Sequence, residues 1–406
     1  MAMMGQLARP LRLRYIAGEP GRKVTWLELF FDLAFVAAVA KVGAPLADDY
    51  SFAGLCRYAF LFFLIWWAWS GHSTFATRFD TDDAIQRFLT LVQIFVVAVM
   101  AVNARDGLDS RSSAGFAAAY AIVRFLLVAQ YLRARAIPES RRLTTAFAAG
   151  IGAAALCWLI SAVVPPPARY GLWAVALLID VATPIATAHL TVQAPPDAAH
   201  LPERYGLFTI ILLGESLVAI MQGMESQDGW SLSAALSAFL GMLFAFLVWW
   251  WYFDGARGAA ERTIRSHRDA RAFMVWSFAH LPLYLGIAVA GVGLEHIVKI
   301  ATRGHLHGGE VRILCAAVSL LMLALTTIGV SSEPAHHHRA RSGRTIWQYA
   351  LSFGPLTLTL FGAALPLVAL VGTLTLLCVA QVGLATWSAG PAASAATAAS
   401  ARPAAR

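Results

Sequence analysis

Apolar residues recur along this chain in windows of about 20 residues, which is enough for a helix to cross a bilayer. Short polar stretches separate these windows and hold most of the charged residues. The pattern predicts an all-α fold, a polytopic transmembrane helical bundle of about twelve helices. The predicted helices occupy residues 24–44, 52–70, 86–104, 114–132, 143–164, 170–190, 204–222, 232–253, 272–293, 311–331, 346–363 and 365–387. A break at Gly362 to Pro366 leaves open that the last two windows are one kinked helix plus a stub.

The composition agrees with a membrane protein. Of 406 residues, 59% are hydrophobic and 13% are charged, whereas soluble proteins carry about 25% charged residues. The formal charge of +8 comes from basic residues scattered among the loops, which favours a lipid bilayer over a nucleic acid as partner. Four single cysteines inside apolar runs indicate packing residues, with no disulfide framework and no metal cluster: Cys56, Cys157, Cys315 and Cys378.

The distribution of basic residues predicts the orientation. Most Lys and Arg lie in the N-terminal segment, the even-numbered loops and the C-terminal tail, so both termini are expected to be cytoplasmic. The first apolar window has no cleavage site and is expected to stay as the first span. The chain then divides into a basic cytoplasmic segment, two six-helix halves and a disordered Ala/Ser/Pro-rich tail, at residues 1–23, 24–200, 201–388 and 389–406.

An internal repeat relates the two halves. The run 64-LIWWAW-69 aligns with 247-LVWWWY-252, and the same shift aligns Asp32 with Glu215. Both halves begin on the same side of the membrane, so the pattern predicts a parallel 6 + 6 duplication. The alternative is coincidence between two Trp-rich helix ends, since aromatic residues gather at bilayer interfaces.

Charged residues inside the apolar windows are the main candidates for chemistry. Glu28 and Asp32 lie one helical turn apart on one face of the first span, and Lys41 lies on the opposite face. Charges at membrane depth usually face a bundle interior, so the two acids need partners on other helices. The candidate partners and proton carriers are Arg124, Asp180, Glu215 and His280. Arg124 is expected to pair with Asp180 or Asp32. Each also has a structural interpretation, as a buried ion pair or, for His280, a histidine at a helix kink.

A second polar cluster follows the second window and contains Arg78, Asp80, Asp82 and Asp83. Its acids suit a hard cation such as Mg²⁺, but we expect a helix N-cap formed by Thr81 or Asp82. The triplet His336–His338 is interpreted as a solvated run in a basic loop. No metal site and no cofactor are predicted.

Three long blocks of this sequence resemble the bacterial low temperature requirement protein A family. They are 25-TWLELFFDLAFVAAVAKV-42, 66-WWAWSGHSTFATRFDTDD-83 and 203-ERYGLFTIILLGESLVAI-220. The resemblance covers residues 20 to 388 and implies an integral protein of the bacterial cytoplasmic membrane, without implying a reaction or a substrate. Residues within the blocks include Glu28, Asp32, Arg78, Asp80, Asp82, Glu203, Arg204, Gly214 and Glu215. Lys41 departs from the uncharged polar residue expected there, which argues against a role for it.

Three functions fit these features. The first is a transporter of a small solute, proton-coupled, in which Asp32 and Glu215 face each other across a central cavity and Glu28 acts as a proton relay. The second is a membrane-embedded enzyme acting on a lipid or isoprenoid, suggested by acids near Trp-rich helix ends: Asp80, Asp82, Asp83 and Asp254. The third is a structural or sensory membrane component, in which the acids only pair with Arg124 or His280. The substrate and the oligomeric state are beyond the sequence.

Overall fold

The structure, a computed structural model, describes residues 11–13, 24–80, 83–104, 112–227, 229, 231–302, 304–332 and 338–386. Helices account for nearly all of this part of the chain. The long helices are α1 (Trp26–Asp48), α2 (Phe52–Arg78), α3 (Ala84–Ala104), α4 (Ser112–Ala134), α5 (Arg141–Val163), α6 (Ala168–Ala186), α7 (His200–Glu225), α8 (Leu232–Trp250), α9 (His267–Ile300), α10 (Gly308–Ser331), α11 (His338–Ser352) and α12 (Leu367–Thr386). Two short strands, β1 (Arg12–Leu13) and β2 (Phe79–Asp80), pair antiparallel.

Polar side chains set several helix starts. The Thr25 hydroxyl accepts from the backbone N–H of Glu28, and the Glu28 side chain accepts from the backbone N–H of Thr25, which makes a capping box at α1. The Ser51 hydroxyl accepts from the backbone N–H of Gly54 at the start of α2. Ser231 caps α8 in the same way. These caps satisfy backbone donors that have no partner within the helix.

Within the described ranges, eleven helices are long and apolar enough to cross a membrane. They correspond to eleven of the twelve predicted windows, so the polytopic helical bundle is confirmed. The window 346–363 differs, because α11 ends at Ser352 and is followed by the short helix Gly354–Thr357 and two 3₁₀ turns. Pro355 and the glycines at 354 and 362 interrupt this window, since proline and glycine both weaken helices.

The chain packs as two compact units. The first unit runs to Ile211 and includes Ala260–Met274; the second comprises Leu212–Ala259 and the residues from Val275 onward. The boundaries fall inside α7 and α9. The predicted halves 24–200 and 201–388 are defined by the sequence repeat and not by packing. The division after residue 200 therefore stays a prediction.

Aromatic rings fill the interior of the first unit. Here α4 packs against α3 and α5, α5 against α6, and α1 against α2 and α3. Trp158 and Trp173 are buried with ring centroids 5.0 Å apart, between α5 and α6. A further cluster, with Phe75, Tyr131 and Phe147 at its centre, joins α2, α4 and α5. The second unit is built from α8 packed against α12 and α10 packed against α11 and α12.

Candidate functional site

Asp32 is one member of a buried ion pair in the first unit. It is on α1, and its carboxylate accepts hydrogen bonds from the guanidinium of Arg204 on α7. The second carboxylate oxygen, Oδ2, lies 3.4 Å from Nε of Arg204. The indole Nε1 of Trp69 on α2 donates to Oδ1 at 2.7 Å. Three helices therefore meet at this carboxylate, which is fully buried.

Glu28 is held one turn earlier on α1 by a histidine. Nε2 of His200 lies 3.3 Å from Oε2 of Glu28, and the imidazole is fully buried while the Glu28 side chain keeps 12% exposure. The same Oε2 accepts from the Thr25 hydroxyl at 2.8 Å. Glu28 therefore has two structural tasks, since it completes the α1 capping box and contacts α7.

The two contacts form a ladder between α1 and α7. Glu28 and Asp32 are one turn apart on α1, and their partners His200 and Arg204 are one turn apart on α7. Residues with this spacing project from the same face of a helix, so the two acids and the two bases meet in register. We call this set of four residues the charge ladder.

Aromatic and hydroxyl groups enclose the charge ladder. The Trp69 ring lies 4.3 Å from Phe208 and 4.9 Å from Tyr205, both on α7. The Tyr205 hydroxyl is 2.9 Å from the Ser70 hydroxyl. This packing excludes water from Asp32 and Arg204, which strengthens their attraction and raises the cost of separating them.

A second buried ion pair joins α4 and α6. Nη2 of Arg124 donates to Oδ1 of Asp180 at 2.6 Å, and both side chains are almost completely buried. Asp180 is one of the two partners predicted for Arg124, so this contact is confirmed. Within the described residues, Nε and Nη1 of Arg124 have no hydrogen-bond partner.

The polar cluster after the second window is organised differently from the prediction. α2 continues to Arg78, which is buried against Tyr131 and Phe147 instead of lying in a loop. The residue that caps α3 is Asp83, whose Oδ1 accepts from the backbone N–H of Gln86 at 2.9 Å. The expected cap at Thr81 or Asp82 is therefore wrong by one or two residues.

Asp83 also binds another helix, because its carboxylate accepts from the guanidinium of Arg133 at the end of α4. Asp82 and the side chain of Asp80 lie outside the described residues, as do the side chains of His336–His338. Within the described part of the chain, no group of three or more His, Cys, Asp or Glu is placed to hold a metal ion. The four cysteines are free thiols, and Cys56 is exposed, so its predicted packing role is wrong.

The second unit holds the remaining candidates. His280 is fully buried beside Pro282 in α9; its Nδ1 lies 2.7 Å from the carbonyl of Trp276, and its Nε2 lies 3.0 Å from the Tyr252 hydroxyl. Both ring nitrogens of His280 therefore have hydrogen-bond partners, which is typical of a structural histidine. Glu215 is half-buried on α7, and Asp254 is exposed just after α8.

Two residues of the third sequence block lie beside these candidates on α7. Glu203 is half-buried in the first turn, within the first unit. Gly214 is in the second unit, and a Cβ added there would meet no atom within 4 Å.

The structure corrects the predicted partner of Asp32. The expectation that buried acids pair with Arg124 or His280 is wrong for Asp32, which pairs with Arg204. The seventh window was placed from residue 204 onward, but α7 begins at His200, so Arg204 lies inside the helix. The spacing in 200-HLPER-204 repeats that of the two acids and is the one sequence signal that pointed to this pairing. Lys41, which the sequence places on the face of the first span opposite the two acids, is exposed on α1.

His72 is a buried residue that sequence reasoning missed. Its ring stacks on Phe31 at 4.2 Å, one position along α1 from Asp32. It lies within electrostatic range of both Arg204 and Glu28. His72 therefore adds an ionisable group to the surroundings of the charge ladder.

The fold and these buried charges define a multi-pass helical membrane protein with ion pairs inside its bundle. The chain belongs to the bacterial low temperature requirement A protein (LtrA) family, which it matches over residues 23–388. It is also similar to an uncharacterized protein of Rhizobium meliloti (strain 1021), with 30% identity over 301 residues, which are 69% of this chain and 72% of that protein. No solved structure matches the chain.

Proposed function

We propose that the protein is a proton-coupled transporter of a small solute in the bacterial cytoplasmic membrane. The observation that carries the proposal is the charge ladder: two acids on α1 matched to two bases on α7, inside helices long enough to span the bilayer. Ionisable groups at membrane depth are costly, and in membrane proteins they mark solute pathways and proton relays.

The two steps of the ladder have different tasks in this proposal. Asp32 and Arg204 form the ion pair that stays unchanged during transport, because both side chains are fully buried and neither reaches water. Glu28 and His200 form the pair that exchanges protons. A carboxylate and an imidazole can pass a proton between them, and Glu28 retains some exposure. Glu215, which aligns with Asp32 in the repeat, is the proposed acid of the second half. Its juxtaposition with Asp32 across a cavity stays a prediction.

Unused hydrogen-bonding capacity inside the first unit supports a polar path. Tyr120 on α4 is fully buried, and within the described ranges its hydroxyl has no hydrogen-bond partner. Buried polar atoms of this kind are usually satisfied by water or by a ligand. Together with Nε and Nη1 of Arg124, the Tyr120 hydroxyl gives a solute or a proton polar groups to bind along α4.

The parallel repeat and the orientation complete the proposal. In each half, an acid-bearing helix is followed by a Trp-rich helix, α1 then α2 and α7 then α8. Parallel repeats of this type build many carriers. Both termini are proposed to lie in the cytoplasm, on the basis of the Lys and Arg distribution.

The test is solute-dependent proton movement in proteoliposomes that contain a pH-sensitive dye. With an imposed pH gradient, pools of small solutes are added outside, and a transporter changes the internal pH only with the pool that holds its substrate. We expect Glu28→Gln and Glu215→Gln to abolish the response while the protein still inserts and elutes as a folded species. Asp254→Asn, at an exposed acid, serves as the control. No response to any pool, or a full response in both glutamate variants, would overturn the proposal.

A further inference from the structure

Three of the four buried arginines in the described part of the chain are neutralised or fully engaged. Arg204 pairs with Asp32, and Arg124 pairs with Asp180. The Nε of Arg169 donates to the carbonyls of Ser161 and Val164, both at 3.0 Å. Each of these guanidinium groups therefore has a carboxylate or two backbone carbonyl oxygens as acceptors. Within the described residues, Arg78 has neither.

Arg78 is buried among aromatic side chains at the end of α2, with 2% of its surface exposed. Its guanidinium carbon lies 5.7 Å from the centre of the Phe147 ring, and it donates to the Tyr131 hydroxyl. Within the described residues, its Nε and Nη1 have no hydrogen-bond partner. A guanidinium stays charged in proteins, and a buried charge without a partner is strongly disfavoured. Within the part of the chain that the structure describes, no anion neutralises this charge.

A short strand covers this site. β1 pairs with β2 directly after Arg78, with Leu13 opposite Phe79. Leu13 is buried in the same cluster as Tyr131 and Phe147. Because β1 and β2 each contain only two residues, separating the two strands breaks few hydrogen bonds. Movement of β1 would give a ligand access to Arg78 without opening the helices.

We propose that Arg78 and Tyr131 form a binding site for a phosphate group, closed by β1. A phosphate has enough acceptor oxygens to bind Nε, Nη1 and the Tyr131 hydroxyl together, and arginine is the usual residue for phosphate recognition. The phosphate can belong to a lipid headgroup or to a soluble phosphorylated molecule. The site does not depend on the proposed transport, and its test measures binding alone.

The experiment uses the full-length protein in nanodiscs, with thermal unfolding followed by tryptophan fluorescence. In phosphatidylcholine discs, inorganic phosphate is compared with chloride at equal ionic strength; separately, phosphatidylglycerol is added to the discs. We expect one or both additions to raise the unfolding temperature by at least about 2 °C. A response to inorganic phosphate indicates a soluble ligand, and a response to phosphatidylglycerol alone indicates a lipid headgroup.

Four variants assign the response to this site. Arg78→Gln should lose the shift, and Arg78→Lys should keep part of it. Tyr131→Phe, which removes only a hydroxyl, should weaken phosphate binding about fivefold. Arg135→Gln changes an exposed arginine just after α4 and should respond like the unchanged protein. If Arg78→Gln does not fold, the Arg78→Lys and Tyr131→Phe results decide the question, because unchanged affinity in both contradicts the proposal.

Two acids close in sequence to Arg78 offer an alternative partner within the chain. Asp80→Asn and Asp82→Asn should leave the phosphate response intact. If either variant lowers the unfolding temperature as much as Arg78→Gln and the double variant adds nothing, Arg78 is paired within the chain and the proposal is wrong. Absence of any shift with phosphate or phosphatidylglycerol in the unchanged protein also overturns it.

Discussion

Asp32 and Arg204 form an ion pair in which neither side chain is exposed to solvent, although 172 positions separate them along the chain. One turn away on the same two helices, Glu28 and His200 meet at 3.3 Å. The two contacts fix the register of α1 against the start of α7. They also explain why the first apolar segment carries two carboxylates four residues apart.

Removal of the Asp32 charge should destabilise the protein strongly. Asp32→Asn leaves Arg204 buried without a counter-charge, and loss of one partner of a buried pair costs about 3–5 kcal/mol. The free energy of unfolding is measured in mixed micelles with increasing SDS. Asp49→Asn, in the exposed pair of Asp49 with Arg57, is the control and should change the free energy by less than about 1 kcal/mol.

A double variant distinguishes pairing from simple loss of packing. Asp32→Leu combined with Arg204→Met replaces both charges by apolar groups, which is often nearly neutral for a buried pair. We expect the double variant to be more stable than Asp32→Asn alone. If the loss of unfolding free energy in the double variant equals the sum of the losses in Asp32→Leu and Arg204→Met alone, the two side chains are not coupled.

Much of the fold follows from local sequence. The apolar windows locate eleven long helices because a helix in a bilayer must present about 20 apolar residues. Helix ends are less predictable, since polar residues continue a helix past its apolar part: α2 runs on through Ser70 and His72 to Arg78. The interruption after Ser352 depends on glycine and proline inside an apolar window, which hydropathy alone does not register.

The candidate site is only partly readable from the sequence. Glu28, Asp32, Arg124 and Asp180 stand out because a charge in an apolar window is rare. Their partners depend on which helices become neighbours, and nothing local to Asp32 specifies Arg204. The Arg124–Asp180 contact was predictable because few opposite charges lie at mid-span, whereas His200 and Arg204 stand at a window edge and resemble loop residues.

Close packing of α5 on α6 should make Gly150 intolerant of a larger side chain. A Cβ at this position would lie 2.2 Å from the Thr183 hydroxyl oxygen and 3.0 Å from its Cβ. Gly150→Ala should therefore destabilise the protein by about 1–3 kcal/mol. Gly171→Ala on α6 is the matched control: no atom lies within 4 Å, so the variant should be neutral or gain up to about 1 kcal/mol of helix propensity. Equal effects of the two variants in SDS unfolding would contradict this packing.

The turn between α1 and α2 should respond to acid. Hydrogen bonds from Ser51 lower the pKa of the Asp49 carboxyl below its ordinary value. A depressed folded-state pKa contributes stability above the unfolded pKa of about 3.9, and that contribution is lost as the pH falls through the folded value. Ser51→Ala should raise the pKa of Asp49, as measured by NMR titration of a ¹³C-labelled carboxyl. An unchanged titration would show that the Ser51 hydroxyl has no influence on the pKa of Asp49.

The segment between α10 and α12 determines the side on which the chain ends. α11 has 15 residues, about 22 Å of helix, which is shorter than the apolar thickness of a bilayer. We expect the broken segment up to Ala364 to complete a crossing, so that a reporter fused after Ser388 is cytoplasmic. A fusion after Ser332, following α10, is the control and should be cytoplasmic in either arrangement. Reporter activity after Ser388 that appears only in the periplasm would indicate eleven crossings.

The two steps of the charge ladder should differ in strength. Asp32 is fully buried and meets a group that is always charged, whereas Glu28 is partly exposed, has Thr25 as a second partner and meets an imidazole. Burial raises the cost of breaking a pair, so the coupling free energy of Glu28 with His200 should be about 1 kcal/mol or less. That of Asp32 with Arg204 should be several kcal/mol. Double-mutant cycles with Glu28→Gln and His200→Gln, and with Asp32→Asn and Arg204→Gln, measure both couplings in the same detergent. A Glu28–His200 coupling free energy equal to or larger than that of Asp32–Arg204 would contradict this prediction. It would show that the Glu28–His200 pair contributes more to holding α1 against α7.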